Sequence, residues 1–194
     1  MNYCSQCGER LHLRIPHHDD RERHVCGACG HVHYLNPRII VCAIPAWEDQ
    51  VLLCKRAIEP RFGTWTLPGG FMELGESTQE AAARETREEA GASIEVLELY
   101  SMFNVIHIDQ VHLFFRAKLY TPEYAAGVES LEVGLFREHE VPWHSIAFPA
   151  VAATLRQYFS DLRGGTFRLR LADVRIGADN GRLIHPHNFL HDEN

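Results

Sequence analysis

The stretch Gly70–Ala92, written GFMELGESTQEAAARETREEAGA, constrains this chain more than any other segment. Its ends are marked by the residues themselves. Ser77 and Glu80 fit an S-x-x-E capping box, and Gly91 follows the last periodic residue as a stop signal. A helix is predicted between them. Glu85, Glu88 and Glu89 stand at i, i+3 and i+4, within about a 100° arc of one helix face. The opposite face presents Ala83, Thr86 and Ala90, small enough to pack closely on a sheet. From Glu73 to Glu89 there are six glutamates and two arginines, a local charge of −4. Like charges at helical-neighbour spacing destabilise one another when nothing intervenes. A solvated acidic helix with Arg84 paired to Glu80 and Glu88 is one resolution. A hard divalent cation, Mg²⁺ or Mn²⁺, held by the carboxylate oxygens is the other.

Around this helix the chain divides into three compositional segments. Residues 1–35 hold four cysteines and six histidines with little apolar content, so they cannot build a core unaided. Cys4-x-x-Cys7 and Cys26-x-x-Cys29 are separated by 18 residues, the spacing of a four-cysteine Zn²⁺ site, and Gly8 and Gly30 supply the tight turns after each pair. Redox disulfides are the alternative, and His24 and His31 flank the second pair as substitute ligands. Residues 36–163 carry the periodic signals. Arg38–Trp47 and Val51–Arg56 read as a hairpin. Ile94–Phe103, Val111–Leu119 and Leu131–Phe136 read as further strands, with a turn near His107–Gln110. Phe148–Leu162 reads as an amphipathic helix. The result is an α/β fold with a mixed sheet. Residues 164–194 form a C-terminal extension in which Phe167, Leu169 and Leu171 alternate as one more strand. Beyond Asn180 nothing in the sequence specifies order. Cys42 and Cys54, alone in apolar runs, read as inert core residues.

Net charge −7 over 194 residues, with acids interleaved among Arg10, Arg14, Arg21 and Arg23, argues against a nucleic-acid partner. No apolar run approaches the ~20 residues of a membrane span. The first ten residues lack the apolar region of a secretion signal, so a cytoplasmic location is expected.

Gly70, five residues, Glu76, seven residues, then Arg84-Glu85-Thr86-Arg87-Glu88-Glu89-Ala90-Gly91-Ala92 resembles the Nudix box. Thr86 and Ala92 are mild departures, at positions that favour aliphatic residues. The four cysteines before it resemble a zinc ribbon. The resemblance covers roughly residues 38–160 and implies a Nudix α/β/α sandwich that hydrolyses a nucleoside diphosphate linked to another group. It implies that Glu85, Glu88 and Glu89, with the Gly69 carbonyl, bind Mg²⁺ or Mn²⁺. Arg84 would orient a metal-binding carboxylate, and Glu76 would support the loop–helix geometry. The general base is left open among these glutamates and a later-loop acid, Glu129 being favoured over Glu132. Arg56 and Arg61 flank the loop before the box as phosphate partners, and Trp65, Phe62, Phe103 and Tyr124 are candidates to stack on a ring. Tyr34-Leu-Asn-Pro-Arg38, Trp65-Thr-Leu-Pro-Gly-Gly and Glu129-Ser-Leu-Glu132 are similar to the FAD and ADP-ribose pyrophosphatases. The S-Q-P-W-P-F-P array of NADH pyrophosphatases is replaced by Ser101-Met-Phe-Asn-Val-Ile-His. The resemblance also implies a homodimer. The alternatives are NADH hydrolysis, clearance of damaged nucleoside triphosphates, and a non-catalytic module that senses a metabolite or binds nucleic acid. The complete set of box acids weighs against the last.

Overall fold

The computed structural model describes residues 1–177 and 181–187. The chain forms two compact units, Met1–Pro37 and Arg38–Asn194. In the first, strands β1 (Leu11–Arg14), β2 (Arg23–Cys26) and β3 (Val32–His33) make an antiparallel sheet in that order. Its buried apolar cluster is Cys4, Leu11 and Cys26 alone. That is too little to offset the entropy of ordering some 35 residues without a crosslink or a metal.

The second unit begins with β4 (Arg38–Trp47) and β5 (Gln50–Arg56), the predicted hairpin. Two short strands follow, β6 (Trp65–Thr66) pairing with β5 and β7 (Gly69–Phe71) pairing with β4. Then come α1 (Thr78–Ala90), β8 (Ile94–Val105), β9 (Gln110–Leu119), β10 (Ser130–Phe136), α2 (Pro149–Gly164), β11 (Arg170–Ile176) and β12 (Arg182–His187). The main sheet runs β10-β5-β4-β9-β8-β11-β12. β4 lies parallel to β9 and antiparallel to β5, so the sheet is mixed, as expected.

Period-2 alternation on β4 sorts its side chains between two cores. Val41 and Ala43 join Ala81, Ala82 and Ala90 of α1, together with Leu52, Cys54 and Phe115. Cys42 and Ile44 face the other way and join Val151, Leu155, Tyr158 and Phe159 of α2. Helix, sheet and helix thus form three layers. Ala82, Thr86 and Ala90 are the buried residues of the α1 face on the sheet, and Ala83 packs against the same core half-buried at its margin. Thr86 is fully buried with its hydroxyl donating to the Ala82 carbonyl at 2.7 Å, so its polar atom is satisfied within the helix.

The region after Gly164 departs from expectation. Phe167 and Leu169 precede the strand rather than forming it, and β11 pairs in parallel with β8. β12 follows where no order was expected, paired antiparallel with β11. This extension belongs to the main sheet. Arg170 fastens it, donating Nη1 and Nη2 to the two Asp161 carboxylate oxygens at 2.6 and 2.7 Å, while Tyr100 Oη donates to Asp161 at 2.9 Å. The last seven positions lie outside the described residues.

Candidate active site

Capping fixes α1 where the sequence places it. Ser77 Oγ accepts from Glu80 N–H at 3.3 Å, the Glu80 carboxylate accepts from Ser77 N–H at 2.7 Å, and Gly91 ends the helix at φ 58°. The acidic face of α1 then lies against β7. Arg84 organises it. Its Nε and Nη2 hold both oxygens of Glu76 at 3.0 and 2.8 Å, and Nη2 also donates to the Phe71 carbonyl at 3.1 Å. Nη1 donates to Glu85 at 2.8 Å and to Glu88 at 3.2 Å. This planar fork serves three carboxylates at once in a way an ammonium does not. Glu76 further accepts from Glu73 N–H at 2.6 Å, and the Arg84 guanidinium holds its carboxyl down to about 2.

Glu89 is in a different position. It is 7% exposed, has no ion pair among the described residues, and accepts one hydrogen bond, from Gly69 N–H at 3.0 Å. Burial, with a contribution from Glu85, pushes its carboxyl up to about 7. Burial likewise raises Glu85, against the pull of Arg84. A buried carboxylate without a cation is costly, and it is the arrangement that a divalent ion relieves. Gly70 keeps the approach open, since a Cβ there would lie 2.5 Å from Glu85 Oε1. At Gly69 a Cβ would meet Cys42 Sγ at 2.6 Å. Hard oxygen donors on one helix face, beside a strand that opens with two glycines, fit Mg²⁺ or Mn²⁺.

The loop before β10 completes the cluster. Ala125 N–H donates to the Ala90 carbonyl at 2.8 Å and Gly127 N–H to the Glu89 carbonyl at 3.0 Å, so the loop satisfies the open C-terminal end of α1. A Cβ on Gly127 would strike the Glu88 carbonyl oxygen. Two residues on, Glu129 reaches the same cavity as Glu85, Glu88 and Glu89, and its main-chain carbonyl accepts from Ala57 N–H at 2.8 Å.

These groups line one part of a cavity of about 840 Å³, within the ordinary range for a small-molecule site. Arg56 lines it too, its guanidinium over the Phe148 ring at 5.3 Å. Arg61 and Trp65 do not. Arg61 lines a smaller neighbouring depression, and Trp65 is a core residue set edge-to-face against Phe136 at 4.9 Å. Among the proposed ring-stackers, Phe103 is core, and neither Phe62 nor Tyr124 borders the cavity. The rings that do are Phe71, Phe114 and Phe148, joined by His107, Gln110 and His112, none of which the sequence singled out. The signal for the β9 group was alternation: Gln110, His112 and Phe114 share one face of a strand.

In the first unit the Sγ atoms of Cys4, Cys7, Cys26 and Cys29 lie within 4.8 Å of one another, with Cys4–Cys29 at 3.7 Å and Cys7–Cys26 at 3.4 Å. Tetrahedral Zn²⁺ with bonds of about 2.3 Å separates its sulfurs by about 3.8 Å, so the cluster fits the metal. Gly8 and Gly30, at φ 78° and 74°, close the two turns by donating to the carbonyls of Cys4 and Cys26. His33, rather than His24 or His31, reaches the cluster, with Nε2 3.3 Å from Cys4 Sγ.

A three-layer α/β sandwich with its acidic helix beside a glycine-rich strand defines the class: α/β proteins that gather carboxylates on one helix face at the edge of a cavity. Residues 36–159 match the NUDIX domain family and residues 2–35 match its zinc-ribbon companion, described as Nudix N-terminal. The chain therefore belongs to the Nudix hydrolase family. It is 48% identical to a NUDIX hydrolase from Nitrosomonas europaea, whose crystal structure superposes with a TM-score of 0.85 over 89% of this chain and 99% of that one. It is 32% identical over 113 residues to the ADP-ribose pyrophosphatase of Methanocaldococcus jannaschii, covering 56% of this chain and 67% of the relative. It is also 38% identical over 95 residues to the NAD-capped RNA hydrolase NudC of Vibrio vulnificus, covering 48% of this chain. The match spans about a third of that relative's length, 34%.

Proposed function

We propose that this protein hydrolyses the diphosphate bond of a nucleoside diphosphate derivative, FAD or ADP-ribose, releasing AMP and a phosphorylated remainder. The observation that carries the reading is Glu89: a buried carboxylate with no ion pair among the described residues, grouped with Glu85, Glu88 and Glu129 around a cavity that also presents Arg56. The likeness to an ADP-ribose pyrophosphatase supports it.

In this reading Glu85, Glu88, Glu89 and the Gly69 carbonyl hold Mg²⁺ or Mn²⁺. When bound, the dication supplies charge neutralisation at the diphosphate oxygens and a more acidic water. Everything else falls to the chain. Arg56 pairs with a phosphate through its guanidinium fork. Glu129 accepts a proton from the attacking water, whose oxygen bonds to phosphorus as the bridging P–O bond breaks and the departing phosphate keeps the electron pair. Arg84, locked by Glu76, fixes the Glu85 and Glu88 carboxylates, so the cluster need not reorganise during the reaction. Four cysteines hold a structural Zn²⁺ with no open position. Likeness to proteins named NAD-capped RNA hydrolases favours a second reading, in which an NAD-derived diphosphate is the substrate.

Purified protein with Mg²⁺ should release AMP from FAD or ADP-ribose, and the activity should vanish in Glu89→Gln. If neither Mg²⁺ nor Mn²⁺ supports hydrolysis of any nucleoside diphosphate derivative, the reading is wrong.

A further inference from the structure

The catalytic cluster occupies one part of the cavity, and the remainder is of a different character. Every charged side chain on the wall comes from β5 and its loop, the β7–α1 segment, or the loop carrying Glu129. The floor, supplied by β4, β9, β8 and β11, is apolar at Ile40, Val105, Phe114 and Val174. Polar side chains interrupt it at Gln110 and His112 of β9, with His107 of the β8–β9 connection beside them. The β9 positions follow from the register. Phe71 of β7, Ile40 of β4 and His112 of β9 lie side by side across the sheet. Gly69, whose N–H holds Glu89, sits two strands and two residues from His112. At ~4.8 Å per strand and ~3.3 Å per residue that is a separation of about 12 Å. The space leaves room for a ribose between a diphosphate at the acidic cluster and a ring over β9.

The two side chains are bonded to each other, His112 Nε2 to Gln110 Oε1 at 2.9 Å, and neither has another side-chain hydrogen bond among the described residues. Burial drives the His112 imidazole down to about 4, so it is neutral near pH 7. The remaining bonding capacity does not depend on the tautomer. If His112 donates, its Nδ1 accepts and the Gln110 amide still has two N–H groups. If Gln110 donates instead, His112 Nδ1–H and the amide oxygen are left. In both cases this pair sets a donor beside an acceptor, with the apolar Ile40, Val105, Phe114 and Val174 around it.

We infer that Gln110 and His112 form a base-reading subsite, which takes a neutral heteroaromatic ring presenting a donor next to an acceptor along one edge, as adenine does. A glutamine amide pairs with such an edge through two bonds, and the flanking apolar side chains cover the faces of the ring. This rests on the diphosphate reading above and adds the part of the substrate that decides affinity. Among the described residues no lysine or arginine lines this part of the cavity, so the subsite discriminates by pairing, and a ligand without the ring leaves these half-buried polar groups to water.

The test compares AMP with ribose 5-phosphate, its ring-free counterpart, by titration calorimetry in Mg²⁺ on wild type, Gln110→Leu and His112→Phe. FMN serves as a second ring, and a thermal melt checks folding. Wild type should bind AMP more tightly than ribose 5-phosphate. Each variant should lose about tenfold for AMP and nothing for ribose 5-phosphate. Loss confined to FMN sustains the subsite and assigns it a flavin. Unchanged AMP and FMN affinity in both variants, equal loss for ribose 5-phosphate, or a wild type that does not distinguish AMP from ribose 5-phosphate overturns it. Hydrolysis of ADP-ribose is measured on the same samples. A wild type that binds AMP through these residues but hydrolyses nothing refutes the enzymatic reading and leaves the subsite standing.

Discussion

The strained ionisation of Glu89 makes a prediction about the fold that needs no substrate. Its carboxyl titrates near 4.5 in an unfolded chain and is raised by burial to about 7 in the folded one. Below pH 4.5 it is protonated in both states and costs nothing. As pH rises the unfolded chain releases its proton first, so this contribution to stability declines and is gone once pH passes the folded value. The loss is about 2.5 pH units at 1.36 kcal/mol each, or about 3 kcal/mol. Glu89 is nearly fully covered, so solvent screening does not reduce it. Glu89→Gln keeps the shape and the Gly69 N–H bond but removes the charge. Relative to wild type, that variant should gain nothing at pH 4 and about 3 kcal/mol at pH 8, in zinc-loaded protein without Mg²⁺. Titrating groups remote from Glu89, such as His112, cancel in the difference, whereas Glu85 and Glu129 are coupled to it. Trp47, Trp65 and Trp143, the only tryptophans, all lie in the second unit, so urea unfolding followed by tryptophan fluorescence reports on it alone. Added Mg²⁺ should raise wild type at pH 8 and leave the variant unchanged. A difference independent of pH would refute the reasoning.

Three further outcomes follow from the same geometry. Arg84→Lys replaces a fork bonded to Glu76, Glu85 and Glu88 with a point charge, and kcat for ADP-ribose should fall by at least about tenfold in steady-state assays while the thermal midpoint moves little. Gly127→Ala sets a methyl against the Glu88 carbonyl, so the loop must lift, and hydrolysis should drop with Mg²⁺ affinity largely retained by calorimetry. Asp161→Asn leaves the Arg170 guanidinium without its carboxylate partner and should cost about 3 kcal/mol in denaturant unfolding, with amide exchange in β11 accelerating first.

The acidic helix was legible because its information is local: caps, charge spacing and stop signal all fall within 23 consecutive residues. β4 and the four cysteines were legible for the same reason. Trp65 and Arg61 were misplaced because an aromatic or a cation near a motif carries no sign of which way it points, and the edge-to-face packing of Trp65 on Phe136 joins residues 71 positions apart. Gln110 and His112 were hidden inside an ordinary alternating strand. Their meaning depends on the neighbours β4 and β8, which only the sheet order supplies. β11 was hardest to anticipate, since a parallel pairing with β8 is a long-range event marked by no turn chemistry.

That last strand has an evolutionary corollary. Val174 borders the cavity from β11, and among the described residues of that segment none joins the acidic cluster. On the proposed reading, drift confined to β11 would reshape that wall while the acids on α1 stay in place, and two homologues with identical boxes but different residues at this strand should be sorted by ligand preference rather than by turnover.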